Sequence, residues 1–432
     1  MSLPEAWHRW TGQPLWSLGF RPFFLAGAGF ACLALVGWGL WLHGALAGLQ
    51  PVAGMLAWHR HEMLFGFAVA IVAGFLLTAV ANWTGRPGLS RTPLLLLWLL
   101  WLAGRLAWWL PLPGPLFVVV QLAFMPLLAA VIGRELWCAG KRENYPMVLV
   151  LGLLALFQGL TLWGLLEHQD SWQRRGELGA LWLVATLMTV IGGRVIPFFI
   201  QRGLQLPPQA PTSPWPTRVL LVGSLLAALS MALGGGDAPR GWLAPLFALL
   251  AGLQGWRLWR WHRPGLWRVP LLWSLYLAYG WLALATLGMA LWHLGWSIPQ
   301  SLVTHALAVG GLGGLVLGMV ARVSLGHSGR PLQASRAMAG GFALLFLAAL
   351  CRVLLVPFSS LGLGLSALLA GLAFAVFVAG YGRILLTPGC EGHLPTGSCR
   401  AALNDKPSLF WTTLGILAAN GVSDVVSQQT QQ

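Results

Sequence analysis

Twelve apolar stretches recur along the chain, near 23–42, 58–81, 93–110, 114–137, 146–166, 178–200, 216–234, 241–258, 269–292, 299–323, 336–356 and 359–386, each bounded by Pro, Gly, Arg or Trp. A bilayer crossing takes about 17–25 predominantly apolar residues, and lipid offers free backbone groups no partner, so each stretch has to be a continuous helix. The chain therefore reads as an all-α, polytopic integral membrane helix bundle with about twelve transmembrane helices. Composition agrees: 57% of residues are hydrophobic and only 9% charged, a balance for which lipid is the natural solvent. The 26 Trp residues sit largely near the ends of apolar stretches, where an indole can occupy the headgroup boundary. Met1 to Pro22 lack an apolar core followed by a small-residue cleavage site, so the first stretch is expected to act as its own insertion signal.

The formal charge of +15 reflects 11 acids against 26 Lys and Arg. The excess owes as much to missing acids as to bases, and nucleic acid is not an expected partner. Most of the basic residues lie at the termini or in loops after even-numbered stretches. Such loops are normally cytoplasmic, with attraction to anionic membrane lipid as a by-product. Both termini are then cytoplasmic, and even-numbered helices run from outside to inside. The cysteines at 32, 138, 351, 390 and 399 form no C-x-x-C or C-x-x-C-H, which argues against covalent c-type haem.

This topology puts His43, His59, His61, His168, His293 and His305 near the outer face, and His8, His262, His327 and His393 inside. His61 and His305 lie within apolar stretches, where an imidazole needs a hydrogen-bonding partner or a metal. From His61, glycines follow at Gly66 and Gly74, then Gly85-Arg86-Pro87; from His305, Gly310, Gly318 and Gly329-Arg330-Pro331 fall at the same offsets. With 55 glycines in the chain the single ones weigh little; the triplet is the specific part, and it marks the second and tenth stretches as equivalent helices. Matching their ends places His61 and His305 at equal depth, where two imidazoles can clamp one iron. Residues two apart point about 200° apart around a helix, so His59 and His61 cannot both face that iron.

Met55, His59 and Met63 recur at four-residue spacing, a stripe that suits Cu(I) and equally suits ordinary apolar packing. Glu62 is open to three readings: proton carrier, hydrogen-bond partner of a ligating imidazole, or ion-pair partner of Arg60. Arg105, Arg194 and Arg352 also lie inside apolar stretches and need partners. Arg194 follows two glycines and precedes Pro197; it can hold a haem propionate or bond the carbonyls of a broken helix.

The same segments carry a family likeness: Gly19-Phe20-Arg21-Pro22-Phe23-Phe24, Trp58-His59-Arg60-His61-Glu62-Met63-Leu64-Phe65-Gly66-Phe67, Asn82-Trp83-Thr84-Gly85-Arg86-Pro87, Gly193-Arg194-Val195-Ile196-Pro197-Phe198-Phe199, and His305 through Ser324-Leu325-Gly326-His327-Ser328-Gly329-Arg330-Pro331. Together, over roughly 15–388, they resemble the NnrS family. The resemblance implies a bacterial inner-membrane protein carrying haem b and copper, tied to nitric oxide metabolism, denitrification and protection from nitrosative stress. Residues 1–390 read as a single transmembrane domain. The tail, 391–432, departs from the family and is unassigned, although Cys390-x-x-His393-x5-Cys399 has metal-ligand types. A His in the second and another in the tenth stretch is also similar to the haem-bearing subunit of haem–copper oxidases, but the sixth and seventh stretches hold no His, so the three-histidine copper site of those enzymes is missing.

The leading expectation is a haem b and copper protein handling nitric oxide. If it is an enzyme, it is an oxidoreductase drawing on an electron donor, with His61 and His305 on the iron and Glu62 carrying protons. The alternatives are a twelve-helix secondary transporter and an assembly or structural factor for a respiratory membrane complex. The topology has its own test. Reporters fused after Arg86, Arg142, Arg263 and Arg330 should behave as cytoplasmic, and fusions near Gly48 and His293 as external; reversed signals would invert the bundle.

Overall fold

The computed structural model of the protein describes residues 10–207 and 214–389. His8, Cys390, His393, Cys399 and the tail from 391 lie outside the described residues. Within them the chain forms twelve long helices and no strand: α1 (Phe20–Leu42), α2 (Gly54–Thr84), α3 (Arg91–Ala107), α4 (Gly114–Cys138), α5 (Tyr145–Leu166), α6 (Asp170–Gly203), α7 (Trp215–Gly235), α8 (Ala244–Trp261), α9 (Pro270–His293), α10 (Gln300–His327), α11 (Arg336–Leu355) and α12 (Leu361–Leu386). Ten are long and apolar enough to cross a membrane. The other two, α3 and α8, occupy the third and eighth expected stretches; α3 has 17 residues, and α8 carries Arg257 and Arg260 in its closing turns. The protein is a polytopic helical membrane protein, as the apolar pattern predicts.

Helix ends differ from the apolar limits for local reasons. The sixth stretch begins near 178, yet α6 starts at Asp170, whose carboxylate sits in the first turn, where it complements the positive end of the helix dipole. The matched Gly-Arg-Pro triplets are stop signals. Gly85 and Gly329 adopt φ of +66° and +67°, the left-handed conformation that closes a helix, and the proline two residues later blocks its resumption.

Consecutive helices pack against one another, and α1 closes the bundle by packing along α12. Small residues permit that approach: a Cβ on Gly371 would stand 2.7 Å from Val36, and one on Gly39 would stand 3.3 Å from Ala367. At the far end of the pair, buried Arg21 Nη1 donates to the carbonyls of Leu385 (2.9 Å) and Thr387 (2.8 Å), satisfying acceptors that the last turn of α12 leaves open. Large apolar side chains such as Leu33, Leu233 and Phe358 stay exposed, which on this fold is the surface offered to lipid.

The equivalence of the second and tenth stretches extends to the backbone. Both α2 and α10 widen into a π-helical segment directly after the matched histidine, at Glu62–Ala68 and at Ala306–Gly313. The matched single glycines are close-approach points as well. The Trp281 ring lies against Gly310, Phe24 against Gly74 and Leu275 against Gly318. His59, Asp170 and His305 all sit near the starts of even-numbered helices, and Trp38 and Arg352 near the ends of odd-numbered ones, so the up-and-down alternation gathers them at one end.

Candidate functional site

The rotational setting of α2 is fixed by a buried polar cluster. Glu62, fully buried, forms an ion pair with Arg105 of α3 and accepts hydrogen bonds from His61 Nδ1 (2.9 Å) and Trp108 Nε1 (2.8 Å). Arg105 also donates to Gln121 Oε1 at 3.1 Å, and Gln158 Nε2 lies 3.4 Å from His61 Nε2. Gly66 makes room for this cluster: a Cβ there would meet Glu62 Oε2 at 2.8 Å, and its carbonyl accepts from Trp101 Nε1 at 2.9 Å. A carboxylate in a membrane interior has to be paired in this way.

With Glu62 and His61 turned toward α3, α4 and α5, the opposite face of α2 carries His59 and Met63 into a cavity of about 550 Å³ enclosed with α1, α6, α10, α11 and α12. His305 enters it from α10 and Arg352 from α11. The walls are apolar at depth, with Leu64, Phe67 and Phe374 among them, and charged at the rim, where Arg60, Asp170, Arg174, Glu177 and Arg352 gather. Arg60 takes up both acids, reaching Glu177 Oε2 at 2.6 Å and Asp170 Oδ1 at 2.9 Å, while Gln173 donates to Glu177 Oε1 at 3.0 Å. Arg174 reaches only Gln300 Oε1 (2.7 Å), and Arg352 reaches Ser301 Oγ (2.7 Å). Among the described residues, two rim cations therefore have no carboxylate partner.

The two imidazoles of the cavity are held differently. His59 stacks on Trp38, with centroids 4.4 Å apart and planes 12° from parallel, and Trp38 stacks in turn on Trp41. His305 Nδ1 lies 2.7 Å from the Ser301 carbonyl, with Arg352 Nη2 3.1 Å away. An Nδ1–H donor satisfies that carbonyl and leaves Nε2 with its lone pair. Three buried nitrogens on residues of this wall have no hydrogen-bond partner: His59 Nδ1, Arg60 Nη2 and Arg352 Nη1. Orphaned donors on cationic groups fit an anionic ligand that pairs with them.

Several sequence expectations are corrected by this geometry. His61, expected beside His305, does not line the cavity that His305 enters; His59 does, because Arg105 and Trp108 draw Glu62 and His61 to the opposite side of α2. Glu62 is paired with Arg105 and does not line the cavity. Its neighbour Arg60 pairs with Glu177 and Asp170 instead. Of the Met55–His59–Met63 stripe, His59 and Met63 line the cavity, while Met55 is buried beside it in an apolar cluster with Trp58, Trp108 and Phe117, against which Met63 also packs. No group of three or more His, Cys, Asp and Glu able to hold a metal occurs among the described residues.

Arg194 lies 17 residues beyond Glu177 on α6, about 25 Å along the axis at 1.5 Å per residue, and does not line the cavity, so it is no partner for a propionate there. The close approach that Gly193 allows is used by Arg257 of α8, whose guanidinium packs on that glycine and donates to Thr189 O at 3.1 Å. Sequence reasoning missed Glu177. The available signal was its rarity, as one of 11 acids at the margin of an apolar stretch.

The fold and this site define a class: a polytopic helical membrane protein in which α1, α2, α6, α10, α11 and α12 surround an amphipathic, histidine-lined cavity. Within that class the chain belongs to the NnrS family, whose model, described as NnrS protein, matches residues 14–388, and it is thereby a membrane protein linked to the nitric oxide response. No curated protein and no solved structure gives a match to the chain.

The buried cluster predicts a stability effect. Arg105→Leu strands Glu62 as an unpaired buried charge and should cost about 3–5 kcal/mol, read as a lower unfolding midpoint in detergent. Adding Glu62→Gln should recover much of the loss; an Arg105→Leu protein as stable as the parent would show that the pair does not hold α2.

Proposed function

We propose that the cavity between His59 and His305 holds a haem b, and that the protein binds nitric oxide there in the bacterial inner membrane as part of protection from nitrosative stress. The observation that carries this reading is the convergence of two imidazoles and the orphaned Arg60 and Arg352 donors on one chamber with apolar depth. An apolar macrocycle with two carboxylates matches that polarity. Bound there, the haem would supply an iron at which nitric oxide coordinates.

The chain's own groups divide the work. His59 from α2 and His305 from α10 would hold the iron, and nitric oxide could bind only where one of the two imidazoles gives way. Trp38 holds the plane of the His59 ring, and the Ser301 carbonyl fixes the tautomer of His305. Arg60 and Arg352 offer N–H groups to propionates, in place of the Arg194 expected from sequence. The apolar depth excludes water. Reduction of two nitric oxide molecules to N2O and water would consume two electrons, supplied by a membrane electron donor, and two protons; the acids of the cavity wall, Glu177 and Asp170, are both paired with Arg60, and no proton path is assigned. The family implies copper too, but only His59 and Met63 of the expected stripe share a wall, and no step is assigned to copper.

Absorption spectra of purified variants test the assignment. His59→Ala and His305→Ala should each lose most of the Soret band, whereas His61→Ala should keep it while lowering stability. Haem loss confined to the His61 variant would overturn the pairing. Reduced, haem-replete protein should shift its Soret band with nitric oxide; a spectrum unmoved by the gas would overturn the nitric oxide reading.

A further inference from the structure

The later helices carry almost no negative charge. Between Glu177 and Glu391 the sequence holds one acid, Asp237, and Arg175 takes it at 2.8 Å near the histidine end of the bundle. Cations at the opposite end of these helices have to find other partners. Arg322 of α10 shows the consequence. It stands 17 residues beyond His305, about 25 Å along the axis, and is only 8% exposed. Its guanidinium lies over the ring of Phe199 on α6, 3.7 Å from the centroid. Among the described residues its side chain has no hydrogen bond and no carboxylate partner.

A ring face offsets part of the cost of taking a guanidinium out of water, but it leaves the N–H donors unmet, and a buried charge without a counter-charge is expensive. The neighbouring ring repeats the pattern. Phe198 lies 5.8 Å from Phe199, and the exposed Arg202 sits over it at 5.9 Å, again with no acid beside it among the described residues. Two guanidiniums, one buried and one at the edge, thus flank a single aromatic pair. Planar guanidinium groups match the oxygens of a phosphate. Depth narrows the source. The 28 residues of α10 span about 42 Å and overhang a hydrocarbon core of about 30 Å. Arg322 precedes the last residue of the helix, His327, by five positions, which sets it about 7–8 Å inside that end, level with the headgroup boundary of the bilayer.

We propose that Arg322 binds the phosphate group of a membrane phospholipid between α6 and α10, with Arg202 adding positive charge at the edge of the site. The phosphate supplies the counter-charge that the chain itself does not, as in other basic sites between transmembrane helices. This site is independent of the histidine chamber and of any cofactor held there.

Native mass spectrometry of the full-length protein, delipidated in detergent and titrated with dioctanoyl phosphatidylglycerol, tests the site. The parent should take up the lipid and gain thermal stability with it. Arg322→Gln should weaken that binding about tenfold or more, and its unfolding midpoint without lipid should be no lower than the parent's, because an unpaired buried cation has been removed. Should that variant fail to fold, Arg202→Gln, an exposed change, still decides the matter: it should weaken binding about fivefold. Equal binding of dioctanoylglycerol, which has no phosphate, would overturn the assignment, as would lipid binding that neither substitution alters. Equal stabilisation by inorganic phosphate would overturn the lipid as its carrier. A lower midpoint for Arg322→Gln without lipid, with lipid binding unchanged, would reduce Arg322 to a packing partner of Phe199.

Discussion

The ion pair between Glu62 and Arg105 is the constraint on which the arrangement of the cavity depends. In lipid, a carboxylate facing the wrong way has no water to fall back on, so the side of α2 that carries Glu62 has to face the guanidinium of α3. Everything on the opposite side follows. His59 and Met63 are turned into the bundle, and Arg60 is left at the rim, where it gathers Glu177 and Asp170 from α6. One buried charge thus chooses which of two neighbouring histidines is available to a ligand, and it does so from outside the cavity. Gly66 is part of the same device, since any side chain there would occupy the space in which the two charges meet.

The cavity itself is a product of helix parity. An antiparallel bundle returns every second helix to the same end, so residues near the starts of α2, α6 and α10 meet although they are more than a hundred positions apart in sequence. The odd-numbered helices contribute from their last turns, Trp38 from α1 and Arg352 from α11. A chamber assembled in this way is charged toward the end of the bundle and apolar toward its middle, because depth along each helix sets the polarity of what it presents.

Much of this was legible in the sequence. The twelve apolar stretches correspond to twelve helices, and the repeated Gly-Arg-Pro found the two helices that share a π-helical segment after a histidine. The 200° separation of His59 and His61 was also sound. What could not be read was which of them faces inward, because the answer lies in Arg105 and Trp108, more than forty residues away. The Met stripe enters the cavity wall only in part for a related reason: four-residue spacing puts three side chains on one strip of a helix, yet Met55 lies a full turn nearer the helix start, where it packs with Trp108 and Phe117. Glu177 escaped because helix α6 begins eight residues before its apolar stretch, so a residue outside that stretch is inside the bundle.

The π-helical segment of α2 works as a rotational joint. The helix beyond Ala68 is held by Phe23 and Phe24 packing on Gly74, and the helix before Glu62 is held by the rim; the wider turn between them absorbs the angular mismatch between two registers that a uniform α-helix would have to share. Loss of a single residue between 62 and 68 would let that turn close into ordinary helix with both halves still facing as they do, because one extra residue is what the wider turn takes up. Elsewhere in α2 the same loss would swing everything on one side of it by about 100°, so the π-helical segment is where this helix tolerates a change of length.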